Sequence, residues 1–275
     1  MIIIDLSINP EETSTIVIEF IRTYVQNSGC KRVVLGLSGG VDSSVAAVLC
    51  KEALGKNNVF CLFMPDGVTP KEDRKHQEVL VKKFDFKSKH IDISSIVEQV
   101  SSVCYNTDDK MTLSNIKART RMILLYSYAN ETGSLVCGTS NKSELLIGYF
   151  TKYGDGGVDF QPLGDTYKTQ IYQLAKYLKI PKPLISKAPT ASLWPGQTDE
   201  KELGMSYETL DKILYGLELK VDIENIAREA GVKKSEIERI RTMRKKSQHK
   251  RRTPLIPKLG VRTSGVDWRV PVQEG

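Results

Sequence analysis

Four short strand-like runs, alternating with stretches of helical period, leave the first 140 residues few ways to fold. KRVVLGL (31–37), VFCLFM (59–64), KSKHIDI (87–93) and SLVCG (134–138) read as strands. The first is a short β-branched run of the kind a parallel strand needs when both its faces are covered. Helices are expected over 9–29, from SGGVDSS to near Gly55, over 71–84 and over 112–131. In the first of these Asn9 suits the cap, Pro10 the first helical position, and Glu11 and Glu12 the positive helix end. Ile16, Phe20 and Tyr24, with Ile21 and Val25, recur at helical spacing, and Gly29 closes the helix. Strands alternating with helices imply an α/β fold, a doubly wound parallel sheet of Rossmann-like type.

After about residue 150 the pattern changes. GYFTKYGDGGVDFQPLG is glycine-rich and reads as loop, and helices follow over 167–179, 206–217, 222–230 and 234–247. We read one domain over 1–275. Its α/β core covers about 10–185. A lid loop, helices and a C-terminal tail make a helical extension over about 186–275.

Composition narrows the function classes. No apolar run approaches the roughly 18–20 residues that span a bilayer. MIIID at the start is too short and lacks the basic lead of a signal peptide, and reads as a short strand or arm. No membrane role and a cytoplasmic setting are expected. Cys30, Cys50, Cys61, Cys104 and Cys137 are dispersed without a CxxC pair, which argues against a disulfide framework or a zinc site. Free thiols, mostly buried, are the expectation. The formal net charge is +7, and a basic balance suits a polyanionic partner. Much of the excess lies in RTMRKKSQHKRR (241–252), so the global charge alone does not call for nucleic acid.

The sharpest local signal is Gly36-Leu37-Ser38-Gly39-Gly40-Val41-Asp42-Ser43, directly after a strand and before a helix. Gly39 and Gly40 let the backbone approach a ligand closely. The unpaired N–H groups and dipole of the helix start favour an anion in the same space. Ser38, Ser43 and Ser44 offer hydroxyl donors. Asp42 makes sense beside phosphates if it holds Mg2+. The spacing is not that of a Walker A loop, and its lysine is missing.

The whole SGGVDSS in this strand–loop–helix setting resembles the pyrophosphatase loop of the ATP-pyrophosphatase superfamily, which cleaves ATP between the α and β phosphates. NIKARTR (115–121), GTSNKSE (138–144), IGYFTKYGDGGVD (147–159), PLGDTYKTQIYQLAKYL, KAPTASLWPGQTDEKELG and QHKRRTP follow in order. Together they resemble the NAD synthetase family from about residue 10 to about 255. The resemblance implies ATP-dependent amidation of deamido-NAD to NAD with ammonia, through an adenylate, releasing AMP and pyrophosphate. It implies that Gly36 to Ser43, Thr139, Lys168 and Thr190 contact ATP, and that Asp42 and Glu144 hold Mg2+. It also implies that Arg119, Lys152, Asp159, His249 and Lys250 contact deamido-NAD. Asp42, Glu144, Lys168 and Asp159 are the expected catalytic set, Asp159 positioning the amine or taking a proton from ammonium. Many bacterial members carry Gln in place of Val41 and Asp-His in place of Ser140-Asn141. Neither departure alters a charged role.

The resemblance further implies a homodimer with deamido-NAD at the subunit interface. Ile116, Met122, Ile123 and Tyr126, on the 112–131 helix, are compatible with such an interface. PDGVTPKEDRK (65–75) and APTASLWPGQTDEKELG (188–204) are long and turn-rich, and we expect them to close over ATP as lids. The chain has no room for a glutaminase domain, so ammonia is the expected nitrogen donor. Two alternatives compete: a tRNA-modifying ATP pyrophosphatase, and a nucleotide-binding protein without turnover. The first predicts zinc-type cysteine pairs and the second a broken Asp42–Glu144 pair, and the sequence matches neither.

Overall fold

The computed structural model describes residues 4–104, 109–194 and 196–263. Trp268, for which the sequence offers a core or interface place, lies outside them. The elements run α1 (Pro10–Asn27), β1 (Arg32–Gly36), α2 (Val41–Leu54), β2 (Val59–Phe63), α3 (Lys71–Phe84), β3 (Lys87–His90), α4 (Ser94–Ser102), α5 (Lys110–Thr132), β4 (Ser134–Val136) and α6 (Lys142–Ile147). They continue with α7 (Lys168–Tyr177), α8 (Lys182–Ser186), α9 (Asp199–Leu203), α10 (Tyr207–Glu218), α11 (Ile223–Ala230) and α12 (Lys234–Lys246). Every helix and strand read from the sequence is present, within a few residues. The short α4, α6, α8 and α9 are additions. α9 interrupts the stretch 188–204 that the sequence reads as loop throughout.

The sheet order is β3-β2-β1-β4, and every pairing is parallel. Side chains on a strand alternate between faces. Val33 and Leu35 accordingly join a core with α1, α2, α7 and α8, while Val34 joins the opposite core with α4 and α5. β3 is an exposed edge built from Lys87, Ser88, Lys89 and His90. Lysines on an edge strand discourage pairing with another chain.

A third core packs α6 and α9 to α12 together through Ile147, Leu203, Tyr207, Leu210, Ile213, Ile226, Ile237 and Ile240. Ile4 is buried in this core. The N-terminal run is therefore an arm laid on the extension, with no strand among its described residues. Gln173 fixes it, accepting from the Ile8 amide at 3.1 Å and donating to the Leu6 carbonyl at 3.1 Å. No helix among the described residues is long and apolar enough to cross a membrane. Cys50, Cys61 and Cys137 are buried free thiols, and Cys30 and Cys104 are half-buried.

Strand order decides where a ligand fits. β2 and β3 lie on one side of β1 and β4 on the other, so the crevice beyond the carboxyl ends of β1 and β4 is a topological switch point. One buried carboxylate fastens the extension to this crevice. Asp211 of α10 accepts hydrogen bonds from the Ser143 hydroxyl and from the Thr169 amide at 2.8 Å. It thereby holds the first turns of α6 and α7.

Burial raises the Asp211 carboxyl from 3.8 to about 6, against the opposing pull of its hydrogen bonds. The folded state then holds this proton more tightly than the unfolded chain does. Ionising it costs stability, nothing below about pH 4, increasingly up to pH 6, and fully above. Unfolding free energies of the parent chain minus those of Asp211→Asn are expected to fall by about 2–3 kcal/mol between pH 4 and 6.5. They should stay flat above that. A difference that rises across this window would refute the shift.

Candidate active site

The phosphate loop begins where β1 ends. Gly39 has φ +76°, and a Cβ there would lie 2.7 Å from the Asp73 carbonyl oxygen, so both conformation and space demand glycine. Gly40 caps α2 without a side-chain hydrogen bond, which leaves the first-turn amides available to an anion. The serines divide their work. Ser38 and Ser43 face each other at 3.1 Å between hydroxyl oxygens, and the Gly40 amide donates to Ser38. Ser44 is buried and spends its hydroxyl on the Gly40 carbonyl at 2.7 Å. Ser44 therefore shapes the loop rather than offering the donor its sequence position implied.

Asp42, in the first turn of α2, points across the crevice to α6 and α7. Lys168 Nζ lies 2.5 Å from Asp42 Oδ2 and 3.7 Å from Glu144 Oε1. The lysine side chain is 3% exposed. Burial alone would drive its proton off, but the Asp42 and Glu144 carboxylates outweigh burial and hold the ammonium charged. Glu144 is raised well above the usual carboxylate range, by burial first and then by the charge of Asp42. Tyr207 covers the ammonium, its ring centre 5.1 Å away, and donates its hydroxyl to Asp199.

Asn141 is a residue that sequence reasoning passed over. Its side chain donates to Asp42 Oδ1 at 2.9 Å, while its Oδ1 accepts from the Glu144 amide at 3.0 Å. The Glu144 carboxylate accepts from the Asn141 amide in return, completing a capping box for α6. One side chain thus sets both carboxylates. Asn three residues before Glu is the signal that marks it.

The remaining sequence candidates fall into two groups around this centre. Leu37 and Val41 are buried beneath the loop. Thr139 is half-buried and follows β4, the strand paired with β1. Thr190 lies on the segment between α8 and α9, its Oγ1 accepting from the Ser192 amide at 3.0 Å. In the second group the Arg119 guanidinium of α5 donates to the Lys152 carbonyl at 3.3 Å. Lys250 reaches the Gly148 and Phe150 carbonyls at 2.7 and 2.8 Å, which ties the C-terminal turn at Gln248–Lys250 to the residues just before TKYGDGG. His249 beside it is exposed and not brought to the others. Asp159 is fully engaged. Tyr126 donates to its Oδ1 at 2.9 Å and the Val136 amide to its Oδ2 at 2.7 Å. A carboxylate so held is fixed in place by α5 and β4.

Among the described residues no group of three or more His, Cys, Asp or Glu side chains could hold a metal by itself. The donor set still fits Mg2+, which binds one or two carboxylates and completes its shell from phosphates and water. Asp42 and Glu144 supply two acidic oxygens at the mouth of the anion-binding loop. Their mutual repulsion, visible in the raised Glu144, is what a dication relieves.

The sequence model of the NAD synthase family matches residues 14–254. An NH3-dependent NAD+ synthetase of Sulfolobus acidocaldarius is 45% identical over 272 residues, covering 98% of this chain and 96% of that protein. One from Archaeoglobus fulgidus is 45% identical over 252 residues, covering 91% and 98%. Among solved structures, an NH3-dependent NAD synthetase from Campylobacter jejuni superposes with TM-score 0.78 at 36% identity, covering 92% of this chain and 100% of that one. An NMN synthetase from Francisella tularensis superposes with TM-score 0.81 at 32% identity, with the same coverage.

Removing one partner of a buried ionic group strands the others. Lys168→Met is expected to lower stability by about 3 kcal/mol at pH 8, read from denaturant unfolding, and to abolish turnover. A variant as stable as the parent would show that the two carboxylates do not need this cation.

Proposed function

The chain belongs to the NAD synthase family, and from that premise we propose how its crevice performs the ATP-dependent amidation of deamido-NAD to NAD with ammonia. The chemistry runs in two stages. The nicotinate carboxylate attacks the α-phosphate of ATP and pyrophosphate leaves. Ammonia then displaces AMP from the acyl adenylate. The observation that carries the assignment of residues is the Lys168–Asp42–Glu144 cluster at the mouth of the phosphate loop.

The first stage brings a polyanion against a carboxylate, so charge is the obstacle. The amides of Gly39 to Ser43 take the phosphates, with Thr139 and Thr190 closing from the other strand and from the lid. Lys168 keeps its proton and offers a fixed positive charge towards the leaving pyrophosphate. Asp42 and Glu144 would hold Mg2+, which when bound neutralises the phosphate oxygens. Arg119, Lys152, Asp159 and Lys250 take deamido-NAD, Asp159 fixing the edge of the site. With no free base among them, the rate derives from alignment and fixed charge. Alignment of bound groups lowers a barrier by roughly 7–11 kcal/mol.

The second substrate also points to a homodimer. Ile16 and Phe20 of α1 and Ile123 of α5 are exposed apolar side chains. α1 and α5 flank the same segment, since Tyr24 of α1 bonds the Asp159 carbonyl and Tyr126 of α5 its carboxylate. Arg119 lies one helical turn before Ile123, on the same face. The dinucleotide contacts therefore border an apolar surface that a second copy would cover. Light scattering is expected to give a dimer for the parent chain and monomer for Ile123→Glu. A monomeric parent at micromolar concentration would contradict the interface.

The decisive assay supplies ATP, Mg2+ and deamido-NAD with either ammonium or glutamine, and follows NAD, AMP and pyrophosphate. NAD is expected with ammonium and not with glutamine, in step with AMP. The likeness to an NMN synthetase adds one arm, the deamidated mononucleotide in place of deamido-NAD. A preference for the mononucleotide would move the substrate while leaving the crevice chemistry unchanged.

A further inference from the structure

We propose that Asp73, which none of the roles above employs, is a positioning residue for ATP, clamping the lid so that Thr190 meets the phosphate loop. Asp73 lies in the first turn of α3, and its side chain is 1% exposed. Its Oδ1 binds Lys187 Nζ at 2.6 Å and its Oδ2 accepts from the Ser192 hydroxyl at 3.2 Å. Those two partners stand on either side of Thr190 in the sequence. One carboxylate therefore grips the lid three residues before and two residues after the threonine. The same residue also meets the phosphate loop, because its backbone packs on Gly39 so closely that a Cβ there would lie 2.7 Å from the Asp73 oxygen. The clamp and the loop thus share one rigid piece, the start of α3.

The remaining bonds fit this geometry. Thr190 Oγ1 uses a lone pair to accept from the Ser192 amide, which leaves its hydroxyl proton free for a phosphate oxygen. Lys117 of α5 secures the next stretch separately, binding the Leu193 carbonyl at 2.8 Å and Asp66 at 2.7 Å. Asp66 and Asp73 belong to one of the two lid segments, and Lys187, Ser192 and Leu193 flank or belong to the other. The two lids are therefore buttoned to each other at two points, and the Asp73 point is the one that carries Thr190.

This rests on the assignment of Thr190 to the ATP phosphates. The test compares the parent chain, Asp73→Ala, Lys187→Met, Ser192→Ala, Thr190→Val and the Asp73→Ala/Thr190→Val pair. Steady-state kinetics with ammonium would be joined by calorimetric binding of a non-hydrolysable ATP analogue and by amide exchange over 187–193. Asp73→Ala is expected to raise KM for ATP and Kd for the analogue about tenfold, with KM for deamido-NAD within twofold, and to speed exchange over 187–193. Lys187→Met and Ser192→Ala should each show part of the effect, and they carry the test if Asp73→Ala does not fold. In the Thr190→Val background Asp73→Ala should add nothing further. Full additivity there, or unchanged analogue binding in Asp73→Ala, would overturn the proposal while leaving Thr190 in place. Unchanged analogue binding in Thr190→Val would instead remove the assignment beneath it.

Discussion

Two carboxylates beside an anion-binding loop are electrostatically unstable, and the architecture answers that single problem. Charges about 4 Å apart near a protein surface interact by roughly 4 kcal/mol. Asp42 and Glu144 repel each other and would both repel a triphosphate. Lys168 sits within 4.0 Å of each, buried and covered by the Tyr207 ring. A buried ammonium needs a fixed site, because it holds its proton only while both acids stay close. Hence the anchoring of its helix, where the Lys168 amide donates to Ser143 at 2.9 Å and the Thr169 amide to Asp211. Lysine suits this place better than arginine. It is a compact point charge that meets two acids from one atom.

The same dependence ties the helical extension to the α/β core. Glu144 and Lys168 stand on α6 and α7, between the sheet and the third core. The carboxylate that fixes both helix starts, Asp211, comes from α10. The α/β core carries the phosphate loop, Asp42, Glu144 and Lys168. The extension braces the last two, because Asp211 bonds Ser143 and Thr169 beside them. We therefore propose a single domain over 1–275, its core at about 10–185 and the extension an integral wall of the site.

What the sequence displays and what it hides divide along contact range. SGGVDSS is legible because a strand, a tight turn and a helix start are consecutive, and Gly39 advertises its positive φ. Lys168, Glu144 and Arg119 are legible through the spacing of family motifs, and not through any property of their own. Asn141, Asp211 and Asp73 are not legible as functional groups. Each looks like a helix cap or a solvated acid, and each acts on residues 42 to 119 positions away, with Asp42 and Ser192 at the longer separations. Asn141 even lies at a departure from the bacterial pattern that leaves every expected charged role in place. Its amide holds Asp42 all the same. The edge strand Lys87–His90 shows the reverse case, a weak signal that succeeds because backbone pairing with β2 decides it.

The carboxylates around the crevice point to one kind of catalysis. Asp42 is bound by Lys168 and Asn141, Asp73 by Lys187 and Ser192, and Asp66 by Lys117 and Thr69. Asp159 is bound by Tyr126 and a backbone amide, and Asp199 by Tyr149 and Tyr207. A general base must have a lone pair aimed at its substrate and a pKa near working pH. These acids are instead built into the frame. Glu144 is raised by burial and by the charge of Asp42, which suits it to face positive charge. A reaction that joins a polyanion to a carboxylate is slowed by repulsion and by misalignment. A frame of paired charges corrects both without accepting a proton.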